Sequence, residues 1–123
     1  MLLVDANVVL RLLLRDDAEM AEQAISVVSE QRITLRYEVI AEVVYVLQKI
    51  YNIPREDISA AMTQFISLMN VETEHVDVLT EAFNVFMKKK FDFVDCVLYA
   101  FYSIKGERVF SFDKKLNKLL IGG

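Results

Sequence analysis

Four carboxylates, Asp5, Glu42, Asp95 and Asp113, each interrupt an otherwise apolar stretch of this chain. Asp5 closes the run Met1-Leu2-Leu3-Val4, and Glu42 sits inside Val39-Ile40-Ala41-Glu42-Val43-Val44-Tyr45-Val46-Leu47. Asp95 stands between Phe93-Val94 and Cys96-Val97-Leu98, and Asp113 follows Val109-Phe110-Ser111-Phe112. Burial of an unpaired carboxylate is costly enough that such a group has a cation, a proton or strong donors waiting for it. Four of them point to a shared cation. With one His and one Cys in the chain, the donors are oxygens, and the cation they suit is Mg²⁺ or Mn²⁺.

Each acid also has a plainer reading. Asp5 suits the N-cap of a first helix, and Asn7 either offers a second oxygen, holds Asp5 in place or is an ordinary first-turn residue. Glu42 is an isolated Glu in an apolar helical stretch, which core helices seldom carry; Glu38, one turn earlier, either assists it or is solvated. Asp92 and Asp95 have the spacing of an N-cap and the third residue of a helix. Asp92 is expected to cap and Asp95 to act as ligand. Asp113, beside Ser111, is either a ligand or the cap of a last helix. His75 lies in the polar run Glu72-Thr73-Glu74-His75 and is expected at the surface, without the companions a zinc site needs. Cys96 is expected in the core, as are Tyr45, Tyr99 and Phe101. No glycine-rich phosphate loop is present, which removes P-loop and Rossmann-type nucleotide binding.

The elements that must position these groups alternate in type. Short buried strands are expected at Leu2–Val4 and Val109–Phe112, and further strands at Ile33–Leu35 and Asn70–Glu72. Helices are expected at Asn7–Leu14, Ala18–Ser29, Ile40–Tyr51, from Pro54 to about Leu68, Val76–Lys89, from Asp92 to about Ile104 and Lys114–Leu120. Gly106 is expected to end a helix. Such alternation predicts one α/β domain over residues 1–123, with a mainly parallel central sheet flanked by helices. Ligands of such sheets bind beyond the carboxyl ends of the strands, where Asp5 and Asp113 fall.

The 123 residues suffice for one sizeable core, and the 54% hydrophobic fraction leaves apolar surface for a partner. A single cysteine excludes an intrachain disulfide and suits a reducing cytoplasm. The apolar start lacks the basic flank and cleavage site of a signal peptide, and no apolar run reaches membrane-spanning length. Net charge is −4 but is unevenly spread: residues 1–87 carry 6 basic and 14 acidic side chains, residues 88–123 carry 8 and 4. The basic C-terminal part suits a phosphate backbone, with Arg11, Lys114 and Lys115 as candidate contacts.

The ordered set Leu3-Val4-Asp5-Ala6-Asn7-Val8-Val9-Leu10-Arg11, Ala41-Glu42-Val43-Val44-Tyr45-Val46-Leu47, Asp92-Phe93-Val94-Asp95-Cys96 and Ser111-Phe112-Asp113-Lys114-Lys115-Leu116 resembles the PIN domains, most closely the VapC-type ribonuclease toxins of toxin–antitoxin pairs. The resemblance covers nearly the whole chain. It implies a three-layer PIN-like fold with four to five strands, and an acidic quartet of Asp5, Glu42, Asp95 and Asp113 supported by Asn7 and Ser111. It also implies a homodimer and a small antitoxin protein that covers the site. One departure is visible: the chain reads Leu119-Leu120-Ile121-Gly122-Gly123 where many relatives continue into a last edge strand.

The chemistry expected of such a quartet is hydrolysis of RNA phosphodiester bonds by a metal-activated water, with no covalent nucleophile on the protein. Three alternatives compete with the toxin reading. A housekeeping PIN nuclease of RNA processing would use the same acids. A non-catalytic PIN-fold interaction module would have no need of four costly charges. Asp5-Ala6-Asn7 also resembles the Asp-x-Asp start of haloacid-dehalogenase-type phosphatases, but here the second acid is Asn and the later metal motif is missing.

Overall fold

Asp5 begins the first helix by accepting a hydrogen bond from the Val8 N–H at 3.2 Å, which satisfies one of the donors every helix start leaves open. This geometry comes from a computed structural model that describes residues 1–122. The described residues form two compact units, Met1–Glu74 and His75 onward.

In the first unit, β1 (Leu2–Leu3), β2 (Ile33–Thr34) and β3 (Val71–Glu72) form a parallel sheet in the order β1-β2-β3. Leu2 pairs with Ile33, and Ile33 with Val71. Parallel neighbours require long crossovers, and helices supply them. Helices α1 (Ala6–Leu14) and α2 (Ala18–Glu30) join β1 to β2. Helix α3 (Tyr37–Tyr45), a π-helical turn at Val46–Ile50 and α4 (Arg55–Ile66) join β2 to β3. The buried residues Ala6, Val9 and Leu10 of α1, and Ala21, Ala24 and Val28 of α2, recur at helical spacing, and the two helices pack together. Ile33, Leu35, Ile40, Val43, Ile58 and Met62 complete the core. Asn70 holds the approach to β3 by donating to the carbonyls of Val28 and Gln31 at the end of α2.

The second unit consists of helices. α5 (Val76–Lys88) packs on α6 (Phe93–Lys105) through Phe83, which stacks on Phe93 with centroids 4.8 Å apart, and through Phe86, edge-on to Phe93 at 6.0 Å. Lys105 closes the end of this pair with an ion pair to Asp77 at 2.7 Å. Helix α7 (Lys114–Gly122) packs on α6 and buries Leu116 and Leu119.

Most expected elements are present, and four details differ. The first strand, expected to be buried, is exposed at both Leu2 and Leu3, and only Val4 after it is in the core. The helix expected from Ile40 begins at Tyr37, and its last turn widens to π geometry before Asn52, whose φ of 54° stops it. Tyr45 is not a core residue: it is 59% exposed, on the same solvent face of α3 as Glu38 and Glu42, and Tyr99 and Phe101, also expected in the core, are only half-buried. Val109–Phe112 is neither a strand nor buried, with Phe110 84% and Phe112 91% exposed. An isolated strand cannot pair its backbone groups, and residues 75–122 contain no strand. Three strands are therefore observed among the described residues where four to five were expected.

Candidate active site

Two of the four acids lie in each unit. Asp5 immediately precedes α1, with the cap bond to Val8 engaging one carboxylate oxygen, Oδ1. Asn7 is exposed in the first turn of α1 and lines a surface groove of about 270 Å³ between α1 and α2, together with Val8, Arg11, Met20, Gln23 and Val27. Arg11 forms part of that wall. Its side chain is only 16% exposed, and Nη1 pairs with Asp16 Oδ1 at 2.7 Å. A hydrogen bond with Tyr51 leads the effects that raise its pKa, with Asp16 adding to it, so the guanidinium is held firmly protonated. Glu42 is exposed on α3 between the buried Ile40, Val43 and Val44. Glu38, one turn earlier, is held by Arg36 at 3.2 Å, and its carboxyl is pushed below the usual range by a backbone hydrogen bond first and by Arg36 next.

In the second unit Asp95 is the third residue of α6, half-buried beside Cys96 and Val97 in the core. Burial raises its pKa, and the negative fields of Asp113 and Asp92 add to the rise. The carboxylates of Asp113 and Asp92 therefore both act on Asp95. Asp92 occupies the cap position of α6 but makes no side-chain cap bond, so the capping task expected of it is not performed. Asp113 does cap: its Oδ1 accepts from the Leu116 N–H at 2.9 Å. Ser111 Oγ accepts from the Asp113 N–H at 2.9 Å, and the Ser111 carbonyl accepts from Asn117 at 2.8 Å, which fixes the turn into α7. The Lys115 ammonium donates to the Lys90 carbonyl at 2.7 Å and lies 4.9 Å from the centre of the Phe91 ring.

The premise that all four acids are buried holds only in part. Asp95 is half-buried, whereas Asp5, Glu42 and Asp113 are exposed. Ends of strands and helices put an acid near solvent even when the preceding residues are in the core, as Asp5 does after buried Val4. Among the described residues no three His, Cys, Asp or Glu side chains stand close enough together to hold a metal ion as they are. The donor chemistry nevertheless fits a hard cation. The candidate ligands are carboxylates alone, and the mutual field at Asp95 is one that a divalent ion would relieve.

The profile of the PIN domain matches residues 2–120. The chain belongs to the PIN domain family. The match runs through both units and takes in all four acids, Asn7 and Ser111. PIN domains are generally nucleases that act on RNA and typically use divalent metals, so the family fixes a nuclease-type fold and a hydrolytic class. The three parallel strands and their flanking helices agree with an α/β PIN-like fold. No curated protein and no solved structure matches the chain.

In this PIN domain, Cys96 is fully buried and His75 is exposed, as their surroundings in the sequence led us to expect. His75 also takes a left-handed conformation, φ 53°, ahead of α5 and lies edge-on to Phe101 at 5.3 Å. Two groups escaped the sequence reading. The partners of Arg11, a candidate RNA contact, were not foreseen: it is engaged by Asp16 and Tyr51, and the only signal for that was the acid five residues downstream. The exposed rings of Phe110 and Phe112 were hidden by the strand assignment, although Arg108 and Lys114 flank them. Among the described residues no helix is long and apolar enough to cross a membrane.

Proposed function

We propose that this PIN domain is a Mg²⁺- or Mn²⁺-dependent endoribonuclease, the toxin of a type II toxin–antitoxin pair. The family match supports the reading, because it spans every position of the acidic quartet in one chain. Asp5, Glu42, Asp95 and Asp113 are the acids that hold the cation. When bound, the ion supplies Lewis acidity toward a water and toward the phosphoryl oxygens. The cap bonds at Asp5 and Asp113 use Oδ1 of each, orient the carboxylate and leave Oδ2 available. Ser111 steadies the Asp113 turn through its hydroxyl, and Asn7 stands one residue into α1 beside Asp5. Lys114, Lys115 and Arg11 hold the RNA backbone, with Arg11 positioned by Asp16 and Tyr51. Because water is the nucleophile, the products carry a 5′-phosphate and a 3′-hydroxyl.

The protein works in the cytoplasm as a single PIN domain, assembles as a homodimer and is silenced by a small antitoxin protein that covers the site. Expression in a host cell tests the reading. The wild type arrests growth and fragments RNA, whereas Asp5→Asn and Asp95→Asn do neither, and coexpression of the protein encoded beside it restores growth. RNA cleavage that survives EDTA would overturn the metal-dependent mechanism. Metal-dependent cleavage without growth arrest would make it a processing nuclease instead.

A further inference from the structure

Tyr51 stands where a continuous helix would not put it. It lies four residues after Leu47 and seven after Val44, the spacing of the core-facing stripe that Ile40, Val43 and Val44 begin. The π-helical turn at Val46–Ile50 changes that phase. Its wide bond runs from the Tyr51 N–H to the Val46 carbonyl at 3.2 Å, and Tyr51 emerges 40% exposed. Such turns are rare and recur at functional sites. What this one delivers is a bond within Met1–Glu74: Arg11 of α1 donates to the Tyr51 hydroxyl, while its Nη1 pairs with Asp16 Oδ1 at 2.7 Å just ahead of α2. Arg11 Nε is buried without a partner, the one such side-chain atom among the described residues. A buried guanidinium with an unmet donor is costly, so apolar packing alone does not keep it in this place; Asp16 and Tyr51 do.

The two helices joined in this way each carry one of the acids. Asp5 caps α1 and Glu42 lies on α3, and both helices leave the carboxyl edge of neighbouring parallel strands. They pack together, and the side chains they bury, Val9 and Leu10 from α1 and Ile40, Val43 and Val44 from α3, are apolar. Apolar contact is non-directional, whereas a hydrogen bond between fixed groups has a length and an angle. We propose that Tyr51 is a positioning residue: through Arg11 it fixes α1 against α3 and so sets the placement of Asp5 relative to Glu42 that a divalent cation requires. The inference rests on the cation-binding reading above and names what aligns two of its ligands. Mg²⁺ demands near-ideal octahedral geometry and Ca²⁺ accepts irregular coordination, so a loosened clamp penalises the smaller ion more.

Calorimetric titration of the full-length chain with Mg²⁺ and, separately, with Ca²⁺ tests the clamp without RNA or turnover. Tyr51→Phe keeps the ring and removes only the hydroxyl. Its Mg²⁺ affinity is expected to fall about fivefold or more, the factor that one lost hydrogen bond accounts for, while its Ca²⁺ affinity changes less. Arg11→Met keeps an unbranched stem without donors and shows the same pattern. The double variant loses no more than the larger single loss, because the two side chains act as one unit. Urea unfolding of the metal-free variants separates a purely structural role. Lower stability of Tyr51→Phe with unchanged Mg²⁺ affinity overturns the clamp, and so do equal losses for the two ions or losses that add in the double variant. Mg²⁺ bound equally by the wild type and Tyr51→Phe removes the clamp alone and leaves the cation reading standing. No Mg²⁺ binding by the wild type removes both.

Discussion

Asp5 and Asp113 each cap a helix and, in the proposed site, also hold the metal, two tasks that chemistry can separate. The cap bond needs only a side-chain oxygen, which serine provides; a metal ligand of this class needs the carboxylate. Asp5→Ser and Asp113→Ser are therefore expected to unfold in urea within about 0.5 kcal/mol of the wild type, while Asp5→Ala and Asp113→Ala each lose about 1 kcal/mol. All four substitutions are expected to abolish the proposed RNA cleavage. Cleavage retained in the serine variants would reduce these acids to caps. Asp95 differs because its carboxyl is harder to ionise in the folded chain, through burial first and then through Asp113 and Asp92. Its stabilising contribution is complete below the unfolded carboxylate range and is lost as pH rises through the elevated folded value. Asp95→Asn, uncharged throughout, should melt at a higher temperature than the metal-free wild type at neutral pH. The gap should close when both are measured near about pH 3, where the carboxyl is protonated. A lower Tm for Asp95→Asn at neutral pH would contradict the assigned repulsion.

Helix ends carry much of the positioning. Gly106 ends α6 at φ 70°, with its N–H donating to the Phe101 and Tyr102 carbonyls, and the Glu107 N–H returns to Phe101. A side chain meets no neighbour there, so the conformation alone decides the cost. Gly106→Ala is expected to lose about 1 kcal/mol in urea unfolding, since a Cβ disfavours the left-handed region. A change below a few tenths would show that α6 frays without consequence. This cap, the parallel strands and every helix were legible from local signals: Gly after a helical run, Pro54 before one, apolar residues at spacings of three and four. Val109–Phe112 was not legible, because a short apolar run describes a strand only if a neighbouring strand pairs with it. Apolar character also misled at Tyr45, where one position of helical phase moves a side chain from core to solvent. For Glu42 the same phase explains why an acid is tolerated between Val43 and Ile40: it faces water.

The family was legible because its evidence is an ordered set of short motifs, and the matched span of residues 2–120 includes all of them. Convergence of the four acids was not, since two of them belong to Met1–Glu74 and two to the residues from His75 onward. Mg²⁺ or Mn²⁺ that binds only the folded chain must stabilise it in proportion to occupancy, by about 2.7 kcal/mol at a hundredfold excess over Kd. The charge asymmetry belongs to this level as well, because residues 1–87 carry a net negative charge and residues 88–123 a net positive one, and only the latter segment has the sign that attracts a phosphate backbone. Calorimetric titration of the full-length protein with Mn²⁺, beside Asp5→Asn and Asp95→Asn, is the measurement on which the account stands. Saturable binding by the wild type and its loss in both variants, one from each unit, is the predicted result. Binding that survives either substitution unchanged, or no binding by the wild type, would contradict it.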